Sequence, residues 1–222
     1  MKKNSLAIVI PAFNENETII DVILSVQKYG DVIVVDDGSS DSTIESVNST
    51  SAITISHEKN LGYEASISSG IHYAINEKYQ YIVTMDADGE HNSLNIPDFV
   101  NKLNQGFEIV IGSRQKKNRA IEIFFGVLTS NLLDGVSDPL CGMKGYSYDL
   151  FNKYGFFDNK KMIGTELLAY AIRDNVSISE LSVSTKKRKD DSRYGSEIKS
   201  FFKILRTIYL FFIIVFSKEG ER

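Results

Sequence analysis

The chain has 222 residues, 42% of them hydrophobic and 24% charged, which is the composition of one globular domain with a sizeable core. The net charge is −4, but residues 186–206 carry eight basic and three acidic side chains, so this segment holds +5 and the remainder −9. A local basic segment indicates a local anionic partner, such as a phosphate group or a lipid surface, and argues against general nucleic-acid binding, which needs a basic face across the whole domain.

The N-terminal region does not have the features of an export signal. The apolar run at 6–10 is too short for a secretory signal and stops at Pro11. Cys141 is the single cysteine, so an intrachain disulfide is ruled out, in agreement with a reducing compartment. We therefore expect a cytoplasmic location.

The first half of the chain predicts alternating strands and helices. Short connections between them predict an α/β fold, with a mostly parallel central sheet covered by helices on both faces. Buried strands are predicted at 6–10, 31–37, 52–57, 79–86 and 108–114, with helices at 17–29, 43–48 and 64–77.

Polar side chains cluster where these predicted strands end. In parallel sheets covered by helices, ligands bind at the carboxyl ends of the strands. The residues expected at that edge are Asn14, Glu15, Asp36, Asp37, Asn60, Asp86, Asp88 and Arg114.

After residue 114 the alternation becomes less regular. A helix is predicted at 120–133, a turn and hairpin at 138–151, a helix at 164–174 and an edge strand at 177–185. We expect residues 1–196 to form one domain and 197–222 a separate C-terminal helix.

This C-terminal helix is predicted to be amphipathic, with Lys199, Lys203 and Arg206 opposite an apolar face. The stretch 208–216 is apolar all round, yet a bilayer span needs roughly 20 apolar residues. We therefore expect the helix to lie in the membrane interface; the alternative is docking on the protein's own core or on a second subunit. The predicted apolar face comprises Ile198, Phe201, Phe202, Leu205, Ile208, Tyr209 and Phe212.

Three carboxylates fall within five positions directly after the fourth predicted strand. Asp86, Asp88 and Glu90 repel one another unless a positive group lies between them. Hard carboxylate oxygens suit Mg²⁺ or Mn²⁺, which could also bridge to a diphosphate. The alternative is a solvated acidic turn.

A second acidic pair ends the second predicted strand. Asp36 and Asp37 could accept hydrogen bonds from a nucleotide base or from ribose hydroxyls, although a turn-and-cap sequence explains one of them without a ligand. Asn14 and Glu15 in the preceding loop are further candidates for base contacts.

Seven motifs in order resemble a family 2 glycosyltransferase of the GT-A fold. The resemblance covers residue 6 to about 200 and lies in the branch of polyprenyl-phosphate sugar synthases, such as dolichol-phosphate mannose synthase. The motifs are VIPAFNE (9–15), VVDDGSSDST (34–43), KNLGYEASISSGIHYA (59–74), MDADGEH (85–91), GSR (112–114), DPLCGMKGY (138–146) and RYGS (193–196).

The resemblance implies roles for individual residues. Glu90 would be a metal ligand beside Asp86 and Asp88, at a position where the synthases commonly have Gln. The family's last motif usually continues with Ser-Lys, whereas this chain reads GSEIKS and displaces Lys199. The nucleotide-sugar contacts implied are Pro11, Ala12, Asn14, Glu15, Asp37, Asp86, Ala87, Asp88, Arg114 and Arg193.

The implied reaction is inverting transfer from a GDP- or UDP-sugar to a polyprenyl phosphate at the cytoplasmic membrane face, with Mg²⁺ or Mn²⁺. The catalytic candidates are Asp88, Arg114 and Asp138. A phosphate acceptor needs no general base and would be oriented by Arg114, Arg193 and the cluster 186–189. A hydroxyl acceptor would need a base, for which Asp138 and Glu166 are the candidates.

Two alternatives are kept. One is a same-fold glycosyltransferase that extends a surface polysaccharide or lipid-linked glycan at a hydroxyl. The other is a nucleotidyltransferase or a nucleotide-binding module, which the absence of glycine in PAFNEN disfavours.

The expected partners are the sugar donor, a lipid phosphate and the membrane through 198–216, without nucleic acid; self-association or a membrane-protein partner is left open. His57, His72 and His91 are interpreted as structural or loop residues.

Overall fold

The computed structural model describes residues 5–115, 117, 119–132, 135–185 and 197–218. Within these ranges the strands are β1 (Leu6–Ala12), β2 (Asp31–Asp36), β3 (Ile53–Ser56), β4 (Tyr81–Thr84), β5 (Ile109–Arg114), β6 (Lys144–Ser147) and β7 (Ile178–Val183). The helices are α1 (Ile19–Val26), α2 (Thr43–Asn48), α3 (Tyr63–Asn76), α4 (Ile96–Asn104), α5 (Ala120–Leu132), α6 (Tyr148–Tyr154), α7 (Glu166–Arg173) and α8 (Glu197–Val215).

The seven strands form one mostly parallel sheet in the order β3-β2-β1-β4-β6-β5-β7. Successive side chains of a strand point to opposite faces, so the apolar run of β1 feeds two cores. Ile8 and Ile10 pack with α1 and α4 on one face, while Ala7 and Val9 pack with α3 on the other. The prediction of a parallel sheet with helices on both faces is confirmed.

Two local predictions were wrong. β1 does not end at residue 10 but continues through Pro11 and Ala12, which pair with Val35 and Asp36. Proline is tolerated there because β4 pairs with β1 only as far as Val9. The hairpin predicted at 138–151 is instead strand β6, inserted antiparallel between β4 and β5 and followed directly by α6.

Helix α8 packs on the same core as the sheet. Ile204, Ile208, Phe211 and Ile214 are buried, and the ring of Phe211 meets that of Phe125 on α5 edge-on, with the centroids 5.2 Å apart. The predicted apolar face is therefore split, because Ile208 points inward. Other apolar members of α8 remain exposed: Phe201, Phe202, Leu205, Tyr209 and Ile213.

Because apolar residues surround most of α8, periodicity alone could not show which of them face the core. The division of the chain at residue 196 stays a prediction. In the described part of the chain, no helix combines the length and the apolar character needed to cross a membrane.

The packing of α8 predicts unequal effects of two substitutions on the same helix. Phe211→Ala removes a fully buried ring and should lower the free energy of unfolding by about 3–5 kcal/mol in urea denaturation. Tyr209→Ala is the control, since that side chain is 67% exposed and its loss should change stability by only about 0.5 kcal/mol. Equal, small losses would contradict the docking of α8 on the core.

Candidate active site

Most of the predicted site residues that the structure describes lie along the carboxyl edge of the sheet. Strands β2, β1 and β4 are neighbours. Asp36 ends β2, while Asn14 and Asp86 each lie two residues after the ends of β1 and β4. Arg114 ends β5, which is separated from β4 by β6. Arg193 and the basic cluster 186–189 lie outside the described residues.

The loops that follow β1 and β2 are joined by hydrogen bonds. Asn14 has a φ of 54°, a left-handed conformation that asparagine adopts more readily than most residues. Its backbone N–H donates to Ser39 Oγ over 2.9 Å, and its Oδ1 accepts from the N–H of Ser40 over 2.8 Å. The N–H of Glu15 donates to Thr43 Oγ1 over 2.8 Å. These bonds hold the two loops as one wall; their role as base contacts stays a prediction.

Asp37 organises the loop that leads into α3. Its carboxylate accepts from the backbone N–H groups of Leu61 and Gly62, over 2.9 and 2.8 Å. It also pairs with His57 Nδ1 at 2.7 Å, and His57 Nε2 in turn lies 2.9 Å from Ser69 Oγ. Protein groups thus engage both oxygens of the Asp that the sequence had assigned to the base or ribose.

Asp36 has acceptor capacity that the described structure does not use. The side chain is buried, and its Oδ2 accepts a hydrogen bond from the N–H of Ser39 over 3.3 Å. Its Oδ1 is buried without a hydrogen-bond partner among the described residues. A buried acceptor without a partner is unfavourable, which makes this oxygen a candidate acceptor for a donor from a ligand.

The DADGEH loop turns sharply after β4. Gly89 adopts a φ of 75°, and Asp88 Oδ1 accepts from the N–H of Glu90 over 3.0 Å. His91 Nε2 lies 3.1 Å from Asp86 Oδ2, with the His91 side chain 2% exposed and that of Asp86 33% exposed. His91 is therefore a buried partner of Asp86, a function that its position in the sequence did not reveal.

The pair of Asp86 and His91 is stabilised as an ion pair. Burial acts to raise the pKa of Asp86, but the hydrogen bond from His91 and the charges of Arg114 and Lys144 hold it below its usual value. Burial acts to lower the pKa of His91, but its hydrogen bond to Asp86 and the charges of Asp86 and Asp88 raise it above 6.5. The result is a carboxylate kept ionised at the end of β4.

Gly142, two residues before β6, leaves room for this carboxylate. A Cβ at Gly142 would clash with both oxygens of Asp86. The segment is fixed by Thr84, whose hydroxyl donates to the carbonyl of Gly142 over 2.8 Å. Lys144 is buried nearby and donates to the carbonyl of Gly164 over 3.1 Å; burial lowers its pKa.

Arg114 makes a two-pronged ion pair with Asp138. Its Nε donates to Asp138 Oδ2 over 2.8 Å and its Nη2 to Asp138 Oδ1 over 2.9 Å, while Glu122 lies 3.4 Å from Nη2. Burial acts to lower the pKa of Arg114, but the bond to Asp138 raises it overall. To act as a base, Asp138 would have to leave this pair.

Glu166, the other candidate base, is also paired with a cation. Its side chain is buried at the start of α7. It accepts from the backbone N–H of Lys160 over 2.6 Å and from Lys160 Nζ over 2.7 Å. The charge of Glu166 is thus already compensated within the protein.

Asp86 and Asp88 supply the hard oxygen donors that Mg²⁺ and Mn²⁺ prefer, so the chemistry of the donor set fits such an ion. In the ranges that the structure covers, no three acidic, histidine or cysteine side chains are already grouped to hold a metal. The roles of Asp86, Asp88 and Glu90 as ligands stay a prediction.

Residues 7–158 match the sequence family described as "Glycosyl transferase family 2". The chain belongs to glycosyl transferase family 2. This match spans the motifs of the sheet edge from PAFNE to CGMKGY, and it confirms the family that the order of the motifs indicated.

The family 2 chain is similar to two curated archaeal proteins. The dolichyl-phosphate hexose transferase of Haloferax volcanii is 26% identical over 202 residues, covering 86% of each chain. The UDP-N-acetylglucosamine–dolichyl-phosphate N-acetylglucosaminyltransferase of Methanococcus voltae is 27% identical over 254 aligned positions, covering 100% of this chain and 99% of the relative.

A solved structure confirms the fold of the family 2 chain. Glucosyl-3-phosphoglycerate synthase from Mycobacterium tuberculosis, in complex with Mg²⁺ and uridine diphosphate, superposes with a TM-score of 0.77. The match covers 99% of this chain and 82% of that one at 20% identity. The GT-A fold expected from the sequence is confirmed.

The buried ion pair predicts a pH-dependent effect of His91→Gln. The substitution should lower the free energy of unfolding near neutral pH by about 1–3 kcal/mol, because it removes a charged hydrogen bond to Asp86. The control His72→Gln, at an exposed position on α3, should change stability by only about 0.5 kcal/mol.

The directions of the two pKa shifts determine how the stability contributed by the ion pair changes with pH. The pKa of His91 is raised, so its contribution is fully present below pH 6.5 and disappears as the pH rises through the folded-state value. The pKa of Asp86 is lowered, so its contribution persists down to pH 3.8 and disappears below it. Urea denaturation of both variants across pH measures this; a constant difference between wild type and His91→Gln would contradict the ion pair.

The contact between Gly142 and Asp86 predicts a non-additive pair of substitutions. Gly142→Ala should lower the free energy of unfolding by about 1–3 kcal/mol, because the new Cβ meets the carboxylate. The same substitution should be nearly neutral when Asp86→Ala has already removed that carboxylate. Thermal and urea unfolding of the two single variants and the double variant give the coupling; simple additivity would show that Asp86 does not set the requirement for glycine.

Proposed function

We propose that this chain transfers a sugar, with inversion, from a UDP- or GDP-sugar to a polyprenyl phosphate at the cytoplasmic membrane face. The observation that carries the proposal is the placement of Asp86 and Asp88 at the end of β4, beside the wall formed by the β1 and β2 loops. The names of the two archaeal relatives, both of which refer to dolichyl phosphate, support the lipid-phosphate acceptor.

The β1 and β2 loops would bind the nucleotide. A uracil or guanine base carries a ring N–H donor, and Oδ1 of Asp36 is a buried acceptor at this edge with no partner among the described residues. Asp37, with both oxygens engaged by the protein, would shape the wall through the Leu61–Gly62 loop rather than bind the base itself. This assignment gives Asp36 the base contact that the resemblance implied for Asp37.

Asp86 and Asp88 would hold Mg²⁺ or Mn²⁺ with the donor diphosphate, with Glu90 as a third oxygen ligand. The ion, when bound, supplies Lewis-acid stabilisation of the leaving diphosphate. His91 would keep Asp86 ionised and oriented, and Gly142 would leave space for its carboxylate. The solved neighbour with Mg²⁺ and uridine diphosphate supports the use of a divalent ion in this fold.

The electrostatics of the site favour a phosphate acceptor over a hydroxyl. A phosphate is already ionised near neutral pH and needs no general base, whereas a hydroxyl does. Both candidate bases are engaged by cations, Asp138 by Arg114 and Glu166 by Lys160. Arg114 at the end of β5 would face the phosphate of the acceptor or the donor, with Arg193 as a second cation.

The donor and the metal are tested by a transfer screen. UDP- and GDP-sugars are offered with undecaprenyl phosphate in detergent, in the presence of Mn²⁺ or of a chelator. One donor should give lipid-linked product, and the chelator should abolish it. Undecaprenol, the same lipid without phosphate, should not react; equal use of undecaprenol would transfer support to the hydroxyl-acceptor alternative.

The role of Asp88 has a matched control on α4. Asp88→Asn should lower the rate of transfer by about 100-fold or more, because a neutral amide is a poor ligand for a hard cation. Asp98→Asn changes the same chemical group at an exposed position and should leave the rate within about twofold. Transfer at the wild-type rate by Asp88→Asn, or no turnover of any donor by the wild type, would overturn the proposal.

A further inference from the structure

The exposed apolar side chains are concentrated on two neighbouring helices. Among the described residues, fifteen large hydrophobic side chains are exposed, and ten of them belong to α5 or to α8 and the residue that follows it. On α5 they are Ile123, Phe124, Val127 and Leu132, and on the C-terminal segment Phe201, Phe202, Leu205, Tyr209, Ile213 and Phe216. We call these ten residues the α5–α8 face.

The two helices are packed side by side. The ring of Phe125 on α5 contacts Phe211 and Phe212 of α8, at centroid distances of 5.2 and 6.4 Å. Phe212 in turn stacks on Phe216, 5.9 Å away. The inner sides of both helices are therefore occupied by the core, and the ten exposed apolar side chains lie on the sides that the core does not cover.

Both helices begin at the carboxyl edge of the sheet, where the candidate active site lies. Helix α5 follows Arg114 and Arg119 after β5. The first turns of α8 are tied to the same edge, since Lys203 Nζ lies 2.8 Å from Glu64 Oε1 in the first turn of α3. The α5–α8 face thus starts near Arg114, which is proposed to meet a lipid phosphate.

The edge of this face on α8 is positively charged. On α8 the exposed Lys199 and Arg206 lie next to the apolar stripe in helical projection, and Arg206 also donates to the carbonyls of Lys160 and Lys161. The sequence immediately before α8 is the most basic part of the chain. An occupant must therefore accept a broad apolar surface together with positive charge at its edge.

We propose that the α5–α8 face lies in the interface of an anionic lipid bilayer, with both helices in contact with lipid. An anionic bilayer supplies an apolar layer below a negative surface, which is the complement of this face and its positively charged edge on α8. Helix α8 has 19 residues and is about 28 Å long, so it offers an extended strip for such contact. The inference rests on the proposed lipid-phosphate acceptor for its biological sense, and it adds α5 to the membrane surface.

The test is flotation of the full chain with vesicles of phosphatidylcholine, with and without phosphatidylglycerol. Three double variants are compared: Ile123→Gln with Val127→Gln on α5, Leu205→Gln with Tyr209→Gln on α8, and Ile20→Gln with Leu24→Gln on α1. The α1 pair is the matched control, since its two apolar side chains are also exposed and one turn apart. Circular dichroism and urea denaturation establish that each variant is folded.

We expect the wild type to float with the anionic vesicles, and the α5 and α8 pairs each to lower the partition coefficient by about tenfold or more. The α1 pair should float like the wild type. The proposal would be overturned if the wild type did not float, or if the α5 double variant floated as well as the wild type. So would light scattering that shows a dimer which the α5 pair converts to monomer, because the occupant would then be a second copy.

The detergent-based transfer assay separates this inference from the proposed function. Sugar transfer to dispersed undecaprenyl phosphate without vesicle binding would support the proposed reaction and contradict the contact of the α5–α8 face with lipid. Vesicle binding that depends on α5, without turnover of any donor, would support the contact of the α5–α8 face with lipid and contradict the proposed reaction.

Discussion

The central strands are covered on both faces, so the sheet can carry polar chemistry only at its ends. Side chains of β1 alternate between two cores, and β2 and β4 are buried in the same way. Carboxylates placed within such strands would lose hydration without compensation. The acids therefore collect where the strands end, and adjacent strand ends bring together side chains that are far apart in the sequence.

Acidic side chains crowded at one edge repel one another unless their negative charge is compensated. Hydrogen-bond donors and cations of the protein itself supply most of this compensation. Asp37 is held by His57 and two backbone N–H groups, Asp86 by His91, and Asp138 by Arg114. Against this background Oδ1 of Asp36 is buried and has no hydrogen-bond partner among the described residues. The hydrogen bonds of the acids thus narrow the set of candidate ligand-binding residues more than the positions of the acids alone.

Much of the fold was predictable because strand and helix periods are local properties of the sequence. The acidic positions at the edge were predictable for the same reason, since each directly follows a buried run. The partner of each acid was not, because the pairing of His57 with Asp37 and the clash that fixes Gly142 depend on contacts between distant segments. The burial of Glu166 and the inward side of α8 were missed because both are set by the neighbours on which the helices pack.

Strand β6 runs against its neighbours, and this reversal has a consequence for how the site is encoded. Thr84 at the end of β4 pairs with Lys144 at the start of β6. An antiparallel strand begins at the edge of the sheet where its parallel neighbours end. The residues that close the gap between Asp86 and Arg114 therefore precede a strand in the sequence. A search for functional residues downstream of strands finds the contributions of β1, β2, β4 and β5 but passes over this one.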